Sequence, residues 1–276
     1  MTMKKFLALA LAAVMLFGCV AAFSSCANDP YKDLTYVDLG LEREYFGIAF
    51  RSGSDLTRKV EDITLELIKD GKLEELSEKY EVGAVGEDEY VPSDDPCTGS
   101  SDYADIKAKG KLVIGITDYK PMDYRDENGE WVGFDAEYAR LVCEKLGVEA
   151  EFKEIEWESK LFELEGKTID CIWNGMTITA AIENAADCTQ AYMFNTQVAV
   201  IKKDMADTYT DLASLAGKTI AAEGGSAGES VILGDAAVKD GLRSVNAQTD
   251  AILEVLSGTS DAAIVDMTLA KALIKK

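Results

Sequence analysis

Two kinds of ligand-binding chemistry are suggested by residues that follow apolar segments of this chain. Glu223 and Asp266 each end such a segment, and two carboxylates near one cleft would favour a cation. Residues 224–227 (GGSA) precede a helical segment, where free backbone N–H groups and the helix dipole suit an anion. Simpler roles stay open, because Ser226 could be only an N-cap and Asp266 could cap the helix that follows it.

The chain has no histidine, which removes several classes of enzyme. Without imidazole there is no histidine-activated nucleophile, no histidine zinc ligand and no imidazole general base near neutral pH. The six cysteines show no CxxC spacing, so the sequence predicts no metal site and no cofactor. Cys171 and Cys188 could pair in an oxidising compartment, and the sequence leaves that pairing open.

The charge balance points away from nucleic acid. The 276 residues include 50 acidic and 28 basic side chains, which gives a formal charge of −22. Phosphate groups need a basic surface, so nucleic acid and anionic lipid headgroups are poor partners. With 47% apolar and 28% charged residues, the composition is that of a globular protein, and we expect a monomeric binder rather than a hydrolase.

The N-terminus has the pattern of an export signal. Two lysines precede an apolar run at residues 6–17, which is far shorter than the roughly 20 residues of a spanning helix. Small residues then lead to Cys19 and Cys26, a spacing that resembles a bacterial lipobox. Because the chain turns polar directly after Cys26, we predict a lipoprotein signal peptide at 1–25, lipidation of Cys26 (alternatively Cys19) and a tether at 26–33. Two acyl chains would hold the exported protein on the extracellular face of the cell membrane, its only membrane contact.

Strand-like and helix-like segments alternate from residue 104 onward. Short apolar runs predict strands at 111–116, 149–155, 168–173, 198–201, 219–222, 243–246 and 262–265, with helical segments such as 134–146 between them. This alternation is typical of βαβ units and of an α/β protein. Residues 83–103 are acidic and rich in turn-forming residues, which predicts a linker.

Five motifs carry a family resemblance. They are residues 112–124 (LVIGITDYKPMDY), 129–135 (GEWVGFD), 169–179 (IDCIWNGMTIT), 217–229 (GKTIAAEGGSAGE) and 260–266 (SDAAIVD). Together they resemble the extracellular solute-binding proteins of ABC transporters, in the polar amino-acid-binding family (solute-binding protein family 3). The resemblance implies a two-lobe periplasmic-binding-protein-like (type II) α/β fold with two hinge crossovers, and a small polar solute delivered to an ABC transporter permease.

The order of the segments differs from the family pattern. The strand and helices that normally close the first lobe are expected at the C-terminus, but segments resembling them precede residue 83. We therefore expect a circular permutation, with a fusion fragment as the rival interpretation. The predicted units are a hinge crossover from lobe 2 at 34–45, the closing strand and helices of lobe 1 at 46–82, the linker at 83–103, lobe 1 at 104–196 and lobe 2 at 197–276.

The resemblance also implies which residues meet the solute. Asp118 and Tyr119 follow the first strand of lobe 1, and Tyr119 is either an aromatic wall or packing beneath a turn. In residues 173–177, Gly175 and Thr177 match the groups that bind the solute's α-amino group. The full set of predicted ligand-binding residues is Asp118, Tyr119, Trp173, Asn174, Gly175, Thr177, Ile182, Gly225, Ser226, Ala227 and Asp266.

Ile182 departs from the family pattern. It stands where the family has an arginine that pairs with the α-carboxylate of the solute. Lys120, Lys160 or the helix start at 224–227 could compensate, or the solute could carry an amine and no carboxylate. Two other functions remain open: a cyclic-acid dehydratase on the same fold, and a degenerate sensor or binding module that no longer serves transport.

Overall fold

Two large β-sheets, with a separate two-stranded sheet at residues 124–125 and 131–132, organise the part of the chain that the computed structural model describes, residues 29–94 and 99–275. The predicted signal peptide, Cys19 and Cys26 lie outside these residues. The strands are β1 (Leu34–Asp38), β2 (Glu44–Arg51), β3 (Lys111–Ile116), β4 (Tyr124–Arg125), β5 (Trp131–Val132), β6 (Glu149–Glu154), β7 (Cys171–Thr177), β8 (Ala186–Cys188), β9 (Met193–Asn195), β10 (Gln197–Lys202), β11 (Ile220–Glu223), β12 (Leu242–Val245) and β13 (Ala262–Asp266).

Helices pack around both sheets. In chain order they are α1 (Asp55–Lys69), α2 (Lys72–Tyr80), α3 (Asp102–Lys109), α4 (Phe134–Leu146), α5 (Lys160–Glu165), α6 (Ala180–Glu183), α7 (Ala227–Gly234), α8 (Gln248–Ser257) and α9 (Met267–Leu273). The local sequence explains their limits: the Ser54 side chain accepts from Leu56 N at the start of α1, and Gly147 adopts a left-handed conformation after α4.

The larger sheet belongs to lobe 1 and the smaller one to lobe 2. Lobe 1 has the order β6-β3-β7-β2-β8, with β9 also paired to β2, and lobe 2 has the order β1-β10-β13-β11-β12. In lobe 1, β3 lies parallel between β6 and β7, so it is buried and reads as an unbroken apolar run. The predicted two-lobe α/β fold is confirmed.

The chain crosses between the two sheets twice. One crossover joins β1 to β2 through residues 39–43, and the other joins β9 to β10 through Thr196 alone. The first lies inside residues 34–45, where the sequence predicts a hinge crossover, and the second lies at the predicted boundary between residues 104–196 and 197–276. The N-terminal segment is therefore integral to both lobes: β1 pairs with β10, whereas β2 lies inside the larger sheet between β7 and β8.

The predicted linker is held against lobe 1. Val85 and Tyr90 are buried, and Val85 N donates to Tyr192 O at 2.9 Å. Ser93 N donates to Glu61 Oε2 at 2.8 Å, and α3 already begins at Asp102. Acidic composition alone did not reveal the two apolar anchors within residues 83–103.

The thiols of Cys171 and Cys188 are free. Their strands lie on opposite sides of β2, where Phe50 pairs with Cys171 and Ala49 with Cys188. Two strand spacings amount to roughly 9–10 Å, beyond the Cα separation of a disulfide. Within residues 29–94 and 99–275, no cluster of three acidic, histidine or cysteine side chains could hold a metal ion, and no helix is long and apolar enough to cross a membrane.

Candidate ligand-binding site

A cavity of about 200 Å³ lies between the two lobes, where several strands reach their carboxyl ends. The end of β7 lines it from lobe 1, and Glu223 of β11 and Asp266 of β13 line it from lobe 2. The volume is below the roughly 300–1,000 Å³ of sites for drug-sized ligands, so the cavity suits a solute of amino-acid size.

The structure brings most of the predicted ligand-binding residues together. The cavity lining includes Tyr119, Asn174, Gly175, Thr177, Ile182, Gly225, Ser226, Ala227 and Asp266. Their roles toward a solute remain predictions, but their convergence from separate strands and helices places them around one volume.

Two predicted residues do not line the cavity. Trp173 is fully buried behind it, where its ring meets Tyr138 edge to face at 4.7 Å. Trp173 therefore packs in the core of lobe 1, and Trp157 is the tryptophan that lines the cavity. Asp118 is exposed to solvent and does not line the cavity. The sequence signal for Trp157 was its position directly after β6, whose carboxyl end lies at the same sheet edge as that of β3.

Near the carboxyl end of β7, both the backbone conformation and the close neighbours require a glycine at position 175. Its φ is 53°, and a Cβ would lie 2.7 Å from Tyr119 Cε1 and 3.0 Å from Phe46 Cε2. Gly175 N donates to Asp135 Oδ2 at 2.6 Å, and the Tyr192 hydroxyl donates to the same oxygen at 2.8 Å. Burial raises the pKa of Asp135 to about 7. This buried carboxyl group holds the carboxyl end of β7 beneath the cavity.

The side-chain amide of Asn174 forms its hydrogen bonds within lobe 1. Its Oδ1 accepts from Thr117 N at 3.1 Å and from Thr117 Oγ1 at 2.7 Å, and its Nδ2 donates to Asp123 Oδ2 at 2.8 Å. Burial, and then the neighbouring Asp135, raise the pKa of Asp123 well above its ordinary value. Asn174 therefore positions the loop that carries Tyr119.

Asp266 is surrounded by neutral amide donors. Its Oδ1 accepts from Asn195 Nδ2 and Gln197 Nε2, both at 2.6 Å, and its Oδ2 accepts from Gln248 Nε2 at 2.5 Å. It stands at the N-cap of α9, but its side chain makes no capping hydrogen bond. Burial raises its pKa, and the neutral donors leave its charge available to a cation.

Glu44 forms a second acidic group at the crossover, which the sequence analysis missed. Its Oε2 accepts from Gln197 Nε2 at 2.9 Å, Asn195 Nδ2 at 3.1 Å and Thr177 Oγ1 at 3.3 Å. Burial and the charge of Asp266 raise the pKa of Glu44 to about 7. The only sequence signal was an acidic residue opening β2, since its partners lie more than 130 positions away.

At the start of α7, some of the backbone N–H groups already donate to side chains of the same segment. Ser226 Oγ accepts from Glu229 N at 3.1 Å, so its N-cap role is present. Gly225 N donates to Glu229 Oε2 at 2.8 Å, so this N–H is taken by the chain's own carboxylate. The N–H groups of Ala227 and Gly228, in the first turn, have no intrahelical acceptor. The expected anion site is therefore smaller than the glycine-rich sequence suggests.

Lys160 spans the two lobes. Its Nζ donates to Gly225 O at 2.8 Å and to Trp157 O at 3.2 Å, and burial lowers its pKa to about 8. Among the described residues that line the cavity, it is the only cationic side chain. Ile182 also lines the cavity and packs into an apolar cluster of lobe 1.

Glu223 faces the cavity without a donor. It is 3% exposed, and within the described chain no hydrogen bond and no ion pair reaches its carboxyl group. Burial, and then the charge of Asp266, raise its pKa to about 8, whereas Lys160 acts in the opposite direction. The cavity thus combines two carboxyl groups, one ammonium group and aromatic surface.

Comparison with known proteins places this geometry in a family. The model of the bacterial extracellular solute-binding proteins, family 3, matches residues 112–275. The arginine-binding extracellular protein ArtP of Bacillus subtilis is 31% identical over 180 residues, which cover 64% of this chain and 69% of ArtP. The L-cystine-binding protein TcyJ of Escherichia coli is 28% identical over 172 residues, 62% of this chain and 64% of TcyJ.

Solved structures agree with that assignment. Holo ArgBP from T. maritima superposes with a TM-score of 0.58 at 33% identity, covering 61% of this chain and 74% of ArgBP. The ancestral amino acid-binding protein AncCDT-1, a precursor of cyclohexadienyl dehydratase, gives a TM-score of 0.58 at 29% identity, with 62% of this chain and 77% of AncCDT-1 covered. Because the family model spans more than half of the chain, this protein belongs to the bacterial extracellular solute-binding proteins, family 3.

Proposed function

We propose that the protein is a lipid-anchored extracellular receptor that binds a small polar solute, an amino acid or related amine, and delivers it to an ABC transporter permease. The observation that carries the proposal is the acidic, amino-acid-sized cavity between the two lobes, with Asp266 and Glu223 in its lining. ArtP and TcyJ, named for arginine and L-cystine binding, support an amino-acid-like solute.

The contacts between the lobes support capture by closure. The hydroxyl groups of Tyr119 in lobe 1 and Thr268 in lobe 2 lie 2.5 Å apart, and Lys160 reaches Gly225 across the same cleft. Two short crossovers allow the lobes to rotate about them, as in other binding proteins that close around a ligand. Closure changes the surface that the permease meets.

Binding without catalysis fits the cavity better than a dehydratase does. Asp266 is engaged by three amide groups, which leaves Glu223 as the carboxyl group free to move a proton. Lys160 would be the sole cation for orienting an acidic substrate, and two backbone carbonyls already hold it. Incubation with cyclic acids should therefore give no product.

Thermal unfolding of the purified protein against L-amino acids, amines, polyamines and cyclic acids tests the proposal. A solute present at a hundred times its Kd adds about 2.7 kcal/mol to the free energy of unfolding, which raises Tm by several degrees. A rise with at least one amino acid or amine is expected. A flat response to the whole panel would overturn the receptor proposal and favour a protein that no longer binds a solute.

Substitution of the predicted lipidated cysteine tests the lipid anchor. We expect Cys26→Ser to abolish incorporation of labelled fatty acid and to release the protein from membranes, because the thiol carries the acyl chains. Cys19→Ser is the matched control and should leave both unchanged. The reverse result would move the anchor to Cys19.

We also propose that the chain is a circular permutation of the family fold. In support, residues 34–82 supply an edge strand to one sheet and an interior strand to the other, yet the family model matches only residues 112–275. A rearranged protein that places residues 34–82 after residue 276 should fold and bind the same solute with the same Kd. Failure of that protein to fold, while the native order folds, would favour the fusion-fragment interpretation.

A further inference from the structure

We propose that Glu223 is a specificity-determining residue that accepts a second cationic group of the solute, so that the cavity selects solutes of net positive charge, a basic amino acid or a small diamine. The inference rests on the proposed receptor function and deepens it by naming the solute class. It assigns different roles to Glu223 and Asp266, the two carboxyl groups of the cavity.

The first argument is the state of the Glu223 side chain. Buried polar groups in folded proteins nearly always have a hydrogen-bond partner, and burying one without a partner is costly. Asp266 follows this rule through its three amide donors. Glu223 is 3% exposed, lines the same cavity and accepts from no group in the described chain. Its carboxyl group is therefore available to a donor that enters the cavity.

The second argument is the charge around Glu223. The charges that act on Glu223 are those of Asp266 on β13 and Lys160 on α5, which line the cavity, and those of the exposed Asp250 on α8 and Glu156 before α5. Three of these four are acidic, and Lys160 makes its hydrogen bonds to backbone carbonyls rather than to Glu223. A neutral zwitterion would leave this acidic excess in place. A solute with one ammonium group near Asp266 and another at Glu223 would offset it.

The third argument is that such binding must release a proton. Burial raises the pKa of Glu223 to about 8, so most of these groups hold a proton at pH 7 before the solute arrives. A cation beside the carboxylate lowers that pKa and expels the proton. Affinity for the cationic solute should therefore rise up to about tenfold per pH unit below pH 8, and level off above it.

The titration of Lys160 must be separated from that of Glu223. Its pKa of about 8 means that its own loss of charge would also favour a cation over the same pH range. The Glu223→Gln variant separates the two groups, because it removes the Glu223 proton and keeps Lys160. Asp250→Asn is the matched control, since it removes one nearby negative charge from an exposed position outside the cavity lining.

The experiment is isothermal titration calorimetry of the full-length protein in detergent, with L-lysine against L-norleucine and putrescine against butylamine. Each pair differs by one ammonium group. We expect the cationic member to bind at least tenfold more tightly, and Glu223→Gln to remove that preference and its pH dependence while Asp250→Asn retains both. Tighter binding of lysine identifies a basic amino acid, and tighter binding of putrescine identifies a diamine.

Proton release in buffers of different ionisation enthalpy gives a test that needs no variant. Proton release on binding of the cation is expected at pH 7, and it should diminish as the pH rises above about 8. Equal affinity within each pair, no proton release, or a preference that survives Glu223→Gln would overturn the role of Glu223. If only uncharged or zwitterionic members of the wider panel bind, this inference fails and the receptor function stands. If nothing in that panel binds, both fail.

Discussion

Gly175→Ala should lower the free energy of unfolding by about 2–5 kcal/mol. The φ of 53° at Gly175 costs a residue with a Cβ about 1–2 kcal/mol. The new carbon would lie 2.7 Å from Tyr119 Cε1 and 3.0 Å from Phe46 Cε2, and overpacking of this kind costs about 1–3 kcal/mol. Both rings are buried, so neither can move into solvent to relieve the contact.

Thermal unfolding measures this prediction directly. For a protein of this size, each kcal/mol shifts Tm by about 2–4 °C, so Gly175→Ala should lower Tm by about 4–20 °C. Gly217→Ala is the matched control, because Gly217 has a φ of 73° and no atom lies within 4 Å of the position that its new methyl group would take. It should show only the backbone cost. Equal shifts in the two variants would refute the steric part of the reasoning.

Three further outcomes follow from the cavity and the crossover. Asp266→Asn should weaken binding of an amine solute at least about tenfold, since the amide keeps the shape and loses the charge, and unchanged affinity by calorimetry would remove Asp266 from the site. Ile182→Arg should raise affinity for α-amino acids by offering the α-carboxylate a bidentate partner, and no gain in the same titration would argue against the placement of Ile182. Glu44, Asp135 and Glu223 bind protons more tightly in the folded chain than in the unfolded one, because burial raises the pKa of each to between about 7 and 8. The free energy of unfolding should therefore fall as pH rises from about 5 to 8, and Glu44→Gln should reduce that slope; urea titrations that show stability rising over this range would contradict the assignment.

Much of the fold was accessible from the sequence, because buried parallel strands leave a local signal. The apolar run at residues 111–116 predicts β3, and the strand occupies Lys111–Ile116. The prediction for β7 began three residues early, at 168. Thr168 N and Ile169 N instead bond to Glu163 O as the chain leaves α5, and the ladder with β2 starts at Cys171.

The site was predictable where a side chain follows directly from a strand end. Asp266 and Glu223 were recognised in this way, but their different hydrogen bonding was not. Asn195 and Gln197, which engage Asp266, lie about seventy positions away in the chain. Glu44 and Lys160 were harder still, because their contacts exist only once the two lobes face each other across the cleft. Trp173 was misplaced because an aromatic residue beside a motif carries no information about which of its neighbours shields it.

Thr196 is flanked by two side-chain amides that join the lobes. It is the single residue between β9 and β10, and the side chains on either side of it each bond to the opposite lobe: Asn195 to Asp266, and Gln197 to Glu44. A rotation at Thr196 that separates the lobes would break these charge-assisted hydrogen bonds. We therefore expect both amides to raise the barrier to opening and to lengthen the residence time of a solute in the cavity, together with the contacts of Tyr119 with Thr268 and of Lys160 with Gly225. Shortening either side chain should speed release far more than it slows capture, because association does not require these bonds to break.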